Sequence, residues 1–353
     1  MTETARKAIG YWLILGAVLI FFQVIIGGAT RLTGSGLSIT EWKPLVGAVP
    51  PVNEQQWNER FQEYQQIVQF KHLNQDMTLQ EFKFIFFWEY FHRLWARLMG
   101  FAFAIPFAFF LYKKWMSRDL IFKIGIVVVW GGIVGLYGWI MVKNGLTGLY
   151  VPPVFLSIHL ILALSLFAYL ILLAAYVLFA ETDKKLAFSS SLKKLGSGIV
   201  VLLFIQLILG GIVSGMKAGL SYPTWPDMNG KLIPDALFSL SPTLSGILNY
   251  NPTDEWGRAM IQLVHRSVAY LLVVLIVFYF VKLRSAVLNH PLKAAVLLLP
   301  FSVLLQATIG ILTVINCVGE IPVFWGVMHQ AGAMILLANV MFVCYFVFRK
   351  NNG

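Results

Sequence analysis

Eight stretches of this chain are apolar over about the 20 residues that a helix needs to cross the hydrocarbon core of a bilayer. They lie at 11–28, 84–112, 121–142, 153–179, 195–215, 258–283, 293–316 and 323–347. In lipid every backbone polar group must be satisfied within the structure, and single segments of this length achieve that only as helices. The predicted fold class is therefore an all-α integral membrane protein with eight transmembrane helices. Composition agrees: 58% of the 353 residues are hydrophobic and 12% are charged, against roughly 45–50% and about 25% in soluble domains. Two cysteines in such a length exclude a secreted disulfide scaffold. The run at 11–28 is too long for a signal-peptide core and lacks a small-residue cleavage pattern, so it reads as the first span. The start Met-Thr-Glu-Thr-Ala-Arg-Lys is too short and too acidic for a transit peptide, and a bacterial plasma (inner) membrane is expected.

The net charge of +11 would point to nucleic acid in a soluble protein. Here its distribution matters more than its sum. With the N-terminus inside, fifteen Lys and Arg fall in short inner segments, among them Arg6, Lys7, Lys113, Lys114, Lys193 and Arg349. Eight fall in much longer outer ones, such as Arg31, Lys143 and Lys217. The positive-inside rule then places both termini in the cytoplasm and accounts for the charge without nucleic acid.

The two large loops, near 29–83 and 216–257, each follow the first helix of a half, which prompts a search for a repeat. Gln23-Val-Ile-Ile-Gly27-Gly28 aligns with Gln206-Leu-Ile-Leu-Gly210-Gly211, and Glu89-Tyr-Phe-His92-Arg93 with Gln262-Leu-Val-His265-Arg266. His159 and His329 are 170 residues apart, and Gly138 and Gly310 are 172 apart. The expected architecture is two tandem four-helix bundles, 1–185 and 186–353, related by a pseudo-two-fold axis along the membrane normal.

Of six histidines, His72 and His290 lie in loops, and His92, His159, His265 and His329 fall one each on spans 2, 4, 6 and 8. All four are expected within about two turns of the outer helix ends. One intramembrane histidine is as often a packing residue as a functional one; four at matched depth, two per half, shift that balance. Two histidines facing each other across a helical bundle suit bis-imidazole ligation of a heme iron. Zinc would want three or four ligands, and a proton relay would not explain the symmetry. Arg93 and Arg266 follow the first histidine of each half and suit a heme propionate, or snorkel to the interface. The glycines near the histidines admit a flat macrocycle or simply close helix packing. There is no CxxCH attachment motif, P-loop, GxGxxG or HExxH. About 30 Å separates Cys317 from Cys344 on this reading, too far for a disulfide.

One chemical difference separates the halves: Glu89 stands three residues before the first histidine where the second half has Gln262. Both should share their histidine's helix face. A carboxylate can take up a proton there and an amide cannot, so catalysis is expected in the N-terminal half. The alternative is that Glu89 merely pairs with Arg93 at i, i+4, or with Arg31.

At this point the residues resemble a known family. Gly27-Gly28-Ala-Thr30-Arg31-Leu-Thr33-Gly-Ser35-Gly36, continuing through Glu41-Trp42-Lys-Pro44, is similar to the first outer loop of heme A synthases of the mitochondrial and proteobacterial branch. The resemblance continues in Glu89-Tyr-Phe-His92-Arg93, Gly138-Trp139, Tyr222-Pro-Thr224-Trp225-Pro226 and Met328-His329-Gln330. It implies an oxidoreductase that converts the C8 methyl of heme O to a formyl group, giving heme A for terminal oxidases. It also implies a heme b cofactor held by His265 and His329 and passing electrons, with heme O between His92 and His159 and Glu89 in the reaction. The chain departs from the family at Val154-Phe155, where others often carry an Arg, and in lacking a loop cysteine pair. Heme O, membrane lipid and an electron acceptor are the implied partners; the heme O-producing prenyltransferase and further copies of the chain stand as open expectations. The competing class is a non-enzymatic dihaem electron carrier of cytochrome b type, which predicts hemes near both membrane faces rather than four histidines toward one. A prenyltransferase would need a paired Asp-rich motif, which is lacking, and a heme transporter is the weaker third reading. Arg31, Glu41, Trp42 and Trp225, in the outer loops, are expected to cover the two sites.

Overall fold

The computed structural model describes residues 1–41, 49–179, 188–285 and 290–349. Its eight long apolar helices are α1 (Glu3–Leu32), α4 (Leu79–Tyr112), α5 (Arg118–Gly145), α6 (Pro153–Leu178), α7 (Ser190–Gly215), α10 (Glu255–Leu283), α11 (His290–Ile315) and α12 (Val323–Phe348). Short helices occupy the two large loops: α2 (Glu54–Gln65) and α3 (Val68–Leu73) in the first, α8 (Ala236–Ser239) and α9 (Ser245–Leu248) in the second. All eight expected spans are present, several longer than their apolar runs. The extra residues are polar turns that carry the helix back to a capping side chain, which satisfies an otherwise orphaned N–H. Thus Thr2 starts α1, Ser117 starts α5, Ser189 starts α7 and Asp254 starts α10. Thr78 and Glu81 form a reciprocal capping box on α4.

The buried centre lies where α1, α6, α7 and α12 meet, around Leu13, Leu164, Leu170, Ile199 and Leu337. Close approach there depends on small residues: a Cβ on Gly211 would meet Ser157 Cα at 2.9 Å, and one on Gly215 would meet Pro153 Cα at 2.6 Å. Helices α4, α5, α10 and α11 flank this centre and present Phe101, Ile105, Val129, Val274 and Phe301 outward. So large an apolar surface is stable only against lipid. The domain boundary expected at 185 falls outside the described residues, as does Trp42.

The halves differ in one respect that bears on the site. Helix α10 packs along α11, whereas their counterparts α4 and α5 barely touch. The first half therefore stands open sideways between α4 and α5.

Candidate functional site

Each of the four span histidines lies against a glycine of the helix before it in its hairpin. A Cβ added at Gly27 would lie 2.8 Å from His92 Cε1, at Gly138 3.0 Å from His159 Cε1, at Gly210 3.3 Å from His265 Cε1, and at Gly310 2.8 Å from His329 Cε1. Real Cβ atoms essentially never come so close as the tightest of these, so these glycines are there to receive the rings. Of the two readings of these glycines, close helix packing is the one these contacts bear on, and it takes the form of seats for imidazole rings.

Gln23, Gln206 and Gln306 add a second layer. Each Nε2 donates to the carbonyl oxygen of its histidine, at 3.2 Å for His92, 3.0 Å for His265 and 3.0 Å for His329. Each amide also lies 3.1–3.3 Å from a nitrogen of the same ring. The sequence alignment contained two of these glutamines without assigning them a role. The signal was there: Gln23–Gly27, Gln206–Gly210 and Gln306–Gly310 all have a spacing of four, one helical turn.

The donor set fits a heme. The His265 and His329 ring centroids are 6.5 Å apart with their planes at 78°. Two metal–imidazole bonds of about 2.0–2.1 Å, plus about 1.1 Å from each bonded nitrogen to its ring centre, span about 6.3 Å. The Nδ1 atoms of His159 and His265 are buried without a hydrogen-bond partner, as expected of rings whose surroundings are set for another group. Among the described residues no three His, Cys, Asp or Glu gather as a metal cluster, so His265 and His329 stand without a third such group beside them.

Glu89 and Arg93 clasp the first outer loop. Glu89 is buried and accepts from Ser38 Oγ at 2.7 Å, from Ile39 N–H at 2.9 Å and from Arg93 at 2.6 Å. Arg93 donates in turn to the Ile39 and Glu41 carbonyls, both at 3.0 Å. In the second half Gln262 donates to the Tyr222 carbonyl at 3.0 Å, and Arg266 to Tyr222 and Asp227 carbonyls at 3.0 and 2.8 Å. The two clasps share their positions and differ in polarity. The first loop presents an N–H and a hydroxyl, which call for an acceptor; the second presents a carbonyl, which calls for a donor. The Glu89–Arg93 pairing raised as an alternative does form, and it leaves Glu89 lining the cavity beside His92. Arg31, by contrast, crosses to α7 and donates to Ser214 Oγ at 2.5 Å and to its carbonyl.

One cavity of about 1710 Å³ runs between the halves and is lined by all four histidines, Glu89, Gln262, Arg93, Arg266 and Trp225. In the first half it extends inward along α4 to Phe107 and along α5 to Val127. In the second half it ends on α10 at Val273 and on α11 at Val303. Trp225 is held by a 3.0 Å hydrogen bond to Tyr270 OH and lies over the second half. The turn that carries it is fixed by Asp227, whose carboxyl the Thr224 hydroxyl and Gly230 N–H hold below the usual range. At the mouth, Lys217 Nζ sits 3.6 Å from the Tyr150 ring centre, and burial pulls its ammonium below the usual lysine range.

Cys317 and Cys344 are both buried free thiols, as the sequence spacing required. Burial pushes the Cys317 thiol up to about 11. The raised value means the neutral thiol persists until the pH approaches that figure, and the thiolate is the nucleophile. Alkylation of Cys317 by a maleimide is thus expected to be much slower than that of an exposed cysteine at pH 8 and to accelerate toward pH 11. Equal rates for the two at pH 8 would contradict this placement.

Comparison with known proteins follows the geometry. The family model described as cytochrome oxidase assembly protein matches residues 10–341. A Parvibaculum lavamentivorans protein named heme A synthase is 41% identical over 95% of this chain and 93% of its own length. Proteins of the same name from Nitrosospira multiformis and from Wolbachia pipientis wMel are 39% and 36% identical, each over 96% of this chain and 93% of their own length. With four glycine-seated histidines, a shared cavity and these relatives along nearly its whole length, the chain belongs to the heme A synthase family of cytochrome oxidase assembly proteins.

Proposed function

We propose that this protein oxidises the C8 methyl of heme O to the formyl group of heme A, in a membrane with both termini cytoplasmic. The observation that carries the reading is the double set of paired, glycine-seated histidines around one cavity in a chain of this family. His265 and His329 would hold a resident heme b, which when bound supplies one-electron redox chemistry. Their two glutamine ties suit a permanent occupant. Arg266 lines the cavity, hydrogen-bonds the Tyr222 and Asp227 carbonyls and feels the Asp227 carboxylate only at longer range, which leaves it able to meet a propionate.

His92 and His159 would receive heme O. The sideways opening between α4 and α5, and the groove running inward from His92 past Arg97 to the apolar stretch at Phe103 and Phe107, support the first half as the one that admits a prenylated, lipid-borne substrate. Glu89 stands at the edge of that site, one turn from His92, where it can take up protons released as the methyl group is oxidised. Its bonds to Ser38 and Ile39 link that proton site to the loop that closes it. The readings of electron carrier and heme transporter gain no support from a groove present in one half only.

The test is chemical. In cells that make heme O but no heme A, expression of this chain is expected to produce heme A on extraction and chromatography. Heme O alone, with the protein present in the membrane, would overturn the reading. A finer expectation concerns the glycine seats. Gly310→Ala should displace the His329 ring and reduce the low-spin heme b signal by about tenfold, as ligand-orienting changes do. Gly131→Ala, at a position with nothing within 4 Å, should leave it unchanged. Equal spectra in the two variants would contradict the seating role.

A further inference from the structure

Three of the four histidines are tied to the neighbouring helix by a glutamine, and one is not. Gln23, Gln206 and Gln306 each stand four residues before the glycine that receives the ring. In α5 the residue four before Gly138 is Val134, which lines the same cavity and has no side-chain hydrogen-bonding group. His159 Nδ1 is buried and unpartnered. His265 Nδ1 shares that property, but its backbone carbonyl and Nε2 are both met by Gln206. Helix α5 is tied to α6 farther in, by Trp130 Nε1 on the Leu162 carbonyl and Tyr169 OH on the Lys123 carbonyl, both at 3.2 Å, but by no such bond to His159 itself. The packing of α5 on α6 is the weakest of the four hairpins, α5 barely touches α4, and Gly125, Gly131, Gly132 and Gly135 have nothing within 4 Å.

Partners behind a metal-ligating histidine fix its ring orientation and its hold on the metal. A glutamine that bonds the histidine's own carbonyl also fixes the spacing of the two helices at the level of the ring. Neither restraint acts on His159. We propose that Val134 makes His159 the releasable ligand of the heme in the first half. The iron there then has a coordination position that a small exogenous molecule can take, while the tied pair His265 and His329 keeps its heme closed. Val134 is a positioning residue acting through His159. The inference rests on heme O occupying the first half.

Carbon monoxide is the probe, because it binds ferrous heme where a position is free. The full-length protein, purified from cells supplying heme O and reduced with dithionite, is expected to show a carbon monoxide shift at heme O and none at heme b. V134Q restores the missing amide. It should lower the reactive fraction of heme O about fivefold, the worth of one buried hydrogen bond, with the heme b spectrum reporting an intact fold. Q306V makes the opposite change, and heme b should begin to react. If V134Q fails to assemble, the wild type and Q306V decide. Heme O silent toward carbon monoxide in the wild type, or reactivity unaltered in V134Q beside a normal heme b spectrum, would overturn the proposal. A protein that takes up no second heme when heme O is supplied contradicts the substrate-site reading, and the inference falls with it.

Discussion

Glu89→Gln should insert in the membrane, keep its heme b and lose conversion of heme O by about 10²–10⁴-fold, the range associated with a positioned proton acceptor. The hydrogen bonds explain why so small a change has a large effect. The carboxylate accepts three donors through its two oxygens: Ser38 and Ile39 on one, Arg93 on the other. An amide has one accepting oxygen, so its NH₂ group must face either the guanidinium or the Ser38–Ile39 donors. Arg93 also loses its counter-ion, at a cost below the ~3–5 kcal/mol of a fully buried pair because its guanidinium is partly exposed. Part of any loss would therefore come from a loosened loop. Ser38→Ala separates the two contributions, because it removes one loop contact and leaves the carboxylate in place. Its heme A yield should fall by about tenfold, the low end of what one hydrogen bond to a charged group is worth, because the Ile39 N–H and Arg93 still hold the carboxylate. Equal losses in Glu89→Gln and Ser38→Ala would reduce Glu89 to a loop anchor. Wild-type heme A from Glu89→Gln would remove it from the chemistry altogether.

The second large effect is expected at the C-terminal pair. His265→Ala or His329→Ala should each convert the low-spin bis-imidazole spectrum to high spin or abolish it, with heme b content falling at least about tenfold. The 6.5 Å separation of the two rings leaves room for one iron between them, and among the described residues no third His, Cys, Asp or Glu gathers with them to replace either ligand. Heme A production should stop in both variants. An unchanged low-spin heme b in both would mean that the resident heme lies elsewhere.

Much of this was legible in the sequence, for identifiable reasons. Span number and order follow from hydropathy, because lipid leaves a backbone segment no alternative to the helix. The four histidines stand out because ionisable groups are rare in such segments. The glycine alignment was legible too, but its meaning was not: spacing leaves Gly27 and Gly310 open to a macrocycle or to helix packing, and only the fold sets the His92 and His329 rings against them. The role of the glutamines requires knowing which helices are neighbours. Least legible were the clasps. Whether position 89 needs an acceptor and position 262 a donor depends on which backbone group a distant loop turns toward it, Ile39 N–H in one case and the Tyr222 carbonyl in the other. Arg93 and Arg266 likewise serve those loops, a role that one-dimensional spacing cannot encode. Trp42, expected to help cover the first site, lies outside the described residues, while Trp225 does line the cavity.

The division of labour between the halves is open to a direct count. Purified wild-type protein, from cells with and without a heme O source, can be assayed by pyridine hemochrome spectra and chromatography of the extracted hemes. The expected result is one heme b per chain in both preparations, joined by heme O and heme A only where heme O was supplied. Two hemes b per chain, and no heme O or heme A under either condition, would contradict it and make this protein a dihaem electron carrier.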